Sequence, residues 1–295
     1  MHASTSAFTP AGGRAGRTRR TRAVRRLGAE AIALVLATVI FLVPFALMLL
    51  TAVKNQAQAT DLDFAWPTQW RIVQNFTEVI EARDSVLLRA YVNSIILTFA
   101  SVVLIVVFAA MAAFVLQRRA GRLSTLANFL VLSGLIIPPA IVPTIWLLQG
   151  LGLFKTMPGL ILVEVAFGLP YAVLLFRAFI AAIPRELDEA AMIDGCGGLR
   201  LFFQVIFPLL RPVTITVILT ASVAVFNDFV NPLYFLPGDE NATVQVTLYN
   251  FQSQYNTQWN LLFMDIVLIT IPPLLAFIFF NRKIVSGMTA GALKG

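Results

Sequence analysis

The sequence has one cysteine, Cys196, and one histidine, His2. An internal disulfide is therefore impossible, and a His/Cys metal cluster has too few ligands to form. Charge is scarce as well: 13% of the 295 residues are charged, against 58% hydrophobic. An ordinary soluble domain carries about 25% charged residues. Also missing is a G-x-x-x-x-G-K-[ST] phosphate-binding loop. The nearest approach, Gly150, Gly152, Phe154, Lys155 and Thr156, lacks the glycine before the lysine. Convergent nucleophiles and bases are missing too. A disulfide-stapled domain, a metalloenzyme and a self-sufficient ATPase are thereby excluded, and the chain is expected to be non-catalytic and to bind no cofactor of its own.

What the sequence does have is long apolar runs. Each crosses the roughly 30 Å of a bilayer core when helical. They predict an all-α, polytopic membrane protein with spans at about 27–53, 89–116, 124–149, 159–183, 213–230 and 261–280. Every loop between them is shorter than the roughly 50 residues of the smallest domains. Pro138, Pro139 and Pro143 are expected to kink the third span.

The formal charge of +7 follows the membrane rather than a nucleic acid. Arginines crowd residues 1–26, which read as a disordered tail lying on anionic lipid, with 27–295 as the membrane domain. The first apolar run is too long for a signal h-region of about 7–15 residues. Further basic residues sit at 118–122, at 184–212 and after the last span, whereas 231–260 has no Lys or Arg. The positive-inside rule then puts both termini and the 186–212 loop in the cytoplasm.

That loop is the polar centre of the chain. Pro184 opens a helix. Glu186, Asp188 and Glu189 favour its positive N-terminal end. Ala190, Ala191, Met192 and Ile193 continue it, and Gly195, Gly197 and Gly198 end it after Asp194. A short helix held on the membrane surface in this way suits being gripped and pushed by another protein.

Ionisable groups in a span are functional suspects. Glu30 and Arg177 lie near span ends and are expected to snorkel. Glu164, Asp228 and Asp265 lie towards the opposite ends. Phe226, Asn227, Asp228 and Asn231 combine amides, a carboxylate and an aromatic face, a surface suited to sugar hydroxyls and C–H faces. With Glu164 they are the candidate substrate path. The uncharged stretch Gln252, Ser253, Gln254 and Tyr255 is a candidate docking loop.

The loop resembles the EAA motif of the membrane subunits of ABC importers. It reads Glu189-Ala190-Ala191, Asp194-Gly195 and Phe207-Pro208, with Cys196 where alanine is usual and Phe207 where leucine is usual. Tyr91-Val92-Asn93-Ser94 looks like the family's Asn-Ser entry. Asn227-Asp228-Phe229 is similar to a Trp-Asn-Asp segment of the sugar branch, with Phe226 in place of tryptophan. The ending Gly287–Gly295 looks like that of MalG-type subunits.

This resemblance implies an importer permease of a prokaryotic cell membrane, working by alternating access. Its partners would be a second permease, two ABC ATPases that bind ATP and Mg, and an extracytoplasmic sugar-binding protein. Glu186, Asp188, Glu189, Ala190, Ala191, Asp194 and Gly195 would couple to an ATPase. Gly291, Lys294 and Gly295 would reach between the ATPases. The competing expectation is an ion-coupled secondary transporter of a small polar solute.

Overall fold

The fold, given by a computed structural model, is described for residues 15–252 and 257–292. Among them there is no β-strand. Helix α1 (Ala15–Ala52) begins inside the stretch expected to be disordered. It is followed by a single turn, α2 (Gln56–Ala59), capped by the Asn55 side chain on the Gln58 N–H at 2.9 Å. Helix α3 (Ile72–Arg118) is broken where Arg83, Asp84 and Ser85 adopt left-handed backbone angles. From Val86 onward α3 is the central span. Its most extensive partner is α6 (Met157–Ile180). The contact face of α3 is made of small residues, with Ala109, Ala110 and Ala113 at 0% exposure, and small residues let helix backbones approach closely.

Among the described residues three helices are by themselves long and apolar enough to cross a membrane: Glu30–Ala52 of α1, α3 and α6. The expected third span is instead two short helices, α4 (Arg122–Ile136) and α5 (Ile141–Gly150). Pro138 and Pro139 fall in the gap between them. A residue before proline is pushed out of the helical region and proline supplies no N–H, so the expected kink becomes a break. Thr156 caps α6, and a Cβ on Gly159 would lie 2.1 Å from the Leu153 carbonyl oxygen, so that turn accepts only glycine.

After α7 (Glu186–Ile193) and α8 (Gly198–Leu201) the chain widens into a π-helical turn at Phe202–Ile206 and passes through α9 (Phe207–Leu209). Pro208 has no N–H to offer the preceding turn, which is a sufficient cause for the widening. The segment Gly198–Leu209 meets α10 (Arg211–Phe226) at 81°. Helix α10 stops at Asn227, short of the expected end of the fifth span, and α11 (Val230–Phe235) follows. A 3-10 turn at Val246–Phe251 leads to α12 (Trp259–Ala292), which runs on past Arg282 and Lys283 and packs along α1.

Candidate functional site

Two regions carry the candidate residues, one at the Arg118 end of α3 and one about midway along its span. Arg118, which meets α7, lies 25 residues beyond Asn93, which meets the 237–252 segment, and that span of helix is about 37 Å long.

At the first end, the termination of α7 is a Schellman motif. Gly195 has φ +82, its N–H donates to the Met192 carbonyl at 3.0 Å, and the Cys196 N–H donates to the Ala191 carbonyl at 2.9 Å. Ala191 and Cys196 then face the same apolar core, which explains a small, soft residue at 196. Asp188 is one helical turn back and faces inward. Its Oδ2 lies 2.7 Å from Arg118 Nε, and Arg118 also donates to the Ile183 carbonyl at 3.0 Å. The sequence reading placed Asp188 and Ala191 on the docking surface; both are buried and fasten the helix instead. Glu186, Glu189, Ala190, Asp194 and Gly195 are exposed, as that reading requires. It missed the apolar component: Leu187, Met192, Ile193 and Leu199 are exposed beside them, Ile193 at 86%. Such a mixed rim of carboxylates and large aliphatics suits a protein groove better than solvent.

The surface is tied rigidly to the helices behind it. Leu201, Phe202 and Ile206 are buried with Ala109, Ala110 and Ala113 of α3 and Phe176 and Ile180 of α6. Phe202 gathers Phe114, Phe203 and Phe207 at centroid distances of 5.6, 4.9 and 5.7 Å, so the aromatic at 207 has a packing role.

About midway along the central span, at Ile105, a cavity of about 320 Å³ lies between α3, α6 and α10. Ile105, Phe167, Gly168, Val225, Glu164 and Asp228 are among its lining residues. Asp228 sits in the break after α10, where its Oδ1 accepts from the Val230 and Asn231 N–H groups at 2.9 and 3.3 Å. The Asn231 amide donates to Glu164 Oε1 at 3.2 Å. Glu164, Asp228 and Asn231 are thus brought together as the sequence suggested. Phe226 and Asn227 are not part of the group. Phe226 packs against a separate apolar cluster, and Asn227 bonds the Val223 carbonyl and Gln245.

A family model described as binding-protein-dependent transport system inner membrane component matches residues 105–289, which include α7 and both carboxylates. The chain belongs to that family. Such permeases are the non-catalytic membrane subunits of ABC transporters, and the Glu-Ala-Ala motif on α7 is typical of them. Family membership decides against the ion-coupled transporter. Similar proteins include the melibiose/raffinose/stachyose import permease MelC of Bacillus subtilis, 31% identical over 96% of this chain and 100% of its own length. The diacetylchitobiose uptake permease NgcG of Streptomyces coelicolor is 32% identical over 88% of this chain and 87% of its own. The fold is that of a chain of a bacterial importer of the acidic polysaccharide alginate, with a TM-score of 0.74, 20% identity and coverage of 93% and 99%.

Other features of the permease were not foreseen. Asn93 donates to the Ala242 carbonyl at 3.0 Å and the Val244 N–H donates to Ser94 Oγ at 3.0 Å, so the Asn-Ser pair stitches the 237–252 segment to α3. Thr247 donates to the fully buried Asp265 at 2.9 Å, which gives Asp265 a part in holding the same segment. Lys54 is fully buried and bonds Asp63 Oδ1 at 2.6 Å. Asn75 reaches the carbonyls of Ala52 and Lys54, and Asn260 reaches Asn75. An Asn 23 residues downstream of a span end carries no sequence signal for such a contact. Arg177, expected to snorkel, is instead bonded by Asn128 of α4. Gln252 is exposed, whereas Ser253, Gln254 and Tyr255 lie outside the described residues. Gly291 falls in the backbone of α12, and Lys294 and Gly295 lie outside the described residues. Among the described residues no group of three or more His, Cys, Asp and Glu is placed to hold a metal.

Proposed function

We propose that this permease is half of the membrane path of an ATP-driven importer for a sugar or oligosaccharide. An extracytoplasmic binding protein delivers the sugar at the end carrying residues 237–252, and α7 is the coupling helix that docks in a cytoplasmic ATPase. A second permease completes the path, and two ATPases bind ATP and Mg. Both termini are cytoplasmic, and the chain lies in a prokaryotic cell membrane. The observation that carries this reading is the build of α7: inward-facing Asp188 and Ala191 fasten it, while Glu189, Met192 and Ile193 stand free.

In this reading ATP binding draws the two ATPases together and moves α7 as a rigid body. The Phe202 cluster and the Arg118 ion pair pass that displacement to α3 and α6. The cavity at Glu164 and Asp228 then faces alternately one side and the other. Gly291, Lys294 and Gly295 extend the contact with the ATPases. The test is co-expression with the neighbouring transport subunits, followed by sugar uptake into vesicles. Uptake is expected to need ATP and to be lost, with the ATPase released, on Glu189→Lys. Uptake that survives ATP depletion would overturn the proposal.

A further inference from the structure

Resting on the sugar-importer reading, we infer that the Glu164–Asp228 cavity is a charge filter: it passes neutral or amino-bearing saccharides and rejects those carrying a carboxylate or sulfonate. The cavity, at about 320 Å³, is of a size that holds a sugar unit. Its walls from Ile105, Phe167, Ala221 and Val225 are apolar, as a sugar ring's C–H face requires, and the named polar groups on it are the two carboxyls.

The two carboxyls lie against each other and share one proton, so that the pair carries a single negative charge, and their other partners are uncharged donors. Glu164, 6% exposed, takes the Asn231 amide, and Asp228 takes backbone N–H groups. Neither pairs with a basic side chain among the described residues: Arg177, Arg118 and Lys155 are engaged elsewhere, and Arg211 opens α10 at the end far from Asp228. Arg177, on the same helix as Glu164 but 13 residues along and hence about 20 Å away, is bonded to Asn128. Arg118 is paired with Asp188. Lys155 precedes α6 and lies over the Phe154 ring. The negative field in the cavity is thus not cancelled by an adjacent cation. In a low-dielectric enclosure it repels an anionic solute while offering acceptors to hydroxyl or ammonium donors. Permeases of this fold also occur in transport of an acidic polysaccharide, so fold alone does not set this preference.

The test uses the complete importer in proteoliposomes with its binding protein. The probes are a neutral oligosaccharide that it carries and the same compound oxidised at its terminal primary alcohol to a uronate. Binding-protein affinity for each is measured by calorimetry, and uptake is compared with the binding protein saturated, so that discrimination arises in the membrane. The wild type is expected to carry the neutral probe at least tenfold faster. Asp228→Asn, alone or together with Glu164→Gln, keeps shape and hydrogen bonding and is expected to narrow that ratio to within about threefold. A wild-type ratio near one overturns the filter even if neither variant assembles, and so does a ratio unmoved in assembled variants. Absence of ATP-driven uptake of any saccharide overturns the importer reading as well, which separates the two failures.

Discussion

At the scale of single residues, α7 separates fastening from presentation. Gly195 occupies a left-handed position, and a Cβ there would meet nothing within 4 Å. The cost of substitution is therefore conformational, not steric. Gly195→Ala is expected to lower stability by about 1 kcal/mol, Gly195→Asn by less, since asparagine visits this region, and Gly195→Val by more. Thermal unfolding in detergent would rank them, and an equal effect of all three would refute the cap. The Asp188–Arg118 pair behaves differently. Both side chains are about nine-tenths buried, at 10% and 11% exposure. Asp188→Ala leaves a buried guanidinium without its partner and is expected to cost about 3 kcal/mol. Replacing both residues by apolar ones of similar volume should recover most of it. Glu189→Ala should leave the melting temperature unchanged while weakening ATPase retention. A stability loss at Glu189, or none at Asp188, would reverse these roles.

At the scale of elements, the helices were legible where composition alone decides them. Runs such as 89–116 and 159–183 had to be helical and apolar, because a bilayer leaves backbone polar groups no other partner. Interruptions were harder. Pro138 and Pro139 announced a disturbance in the third span, yet whether proline kinks or breaks a helix depends on what neighbouring elements offer the freed carbonyls. The stop at Asn227 was hidden because Asn227 bonds the Val223 carbonyl and Asp228 accepts from the Val230 and Asn231 N–H groups, local satisfaction that hydropathy does not register. The link after α1 was likewise opaque: nothing in the local sequence shows that Lys54 is buried and paired. Its ammonium donates to Asp63 and holds that carboxyl below the usual aspartate range. A depressed folded value means that the contact stabilises fully above the unfolded aspartate value of about 3.9, and that this stabilisation is lost as pH falls through the folded value. Hydrogen-exchange protection across residues 55–71, taken relative to the intrinsic rate at each pH, should therefore fall on acidification below pH about 4, and Asp63→Asn should flatten that dependence. Acid-insensitive protection in the wild type would rule it out.

At the scale of the whole molecule, Cys196 is a natural reporter because the sequence has no other cysteine. It is partly exposed, directly after the Gly195 turn. A membrane-impermeant maleimide is expected to label it in inside-out vesicles and not in right-side-out ones, with protection when the ATPase is bound. Labelling from the outside would invert the topology proposed here. The sequence by itself determined the membrane class and the α7 signature, because composition, hydropathy and short spacing are local properties. Only the tertiary structure decided which α7 residues face inward, that Glu164 and Asp228 share a cavity without Phe226, and that Asn93 and Ser94 hold a segment about 150 residues away. Those outcomes depend on which helix faces meet, and facing is set by packing between segments far apart in the chain.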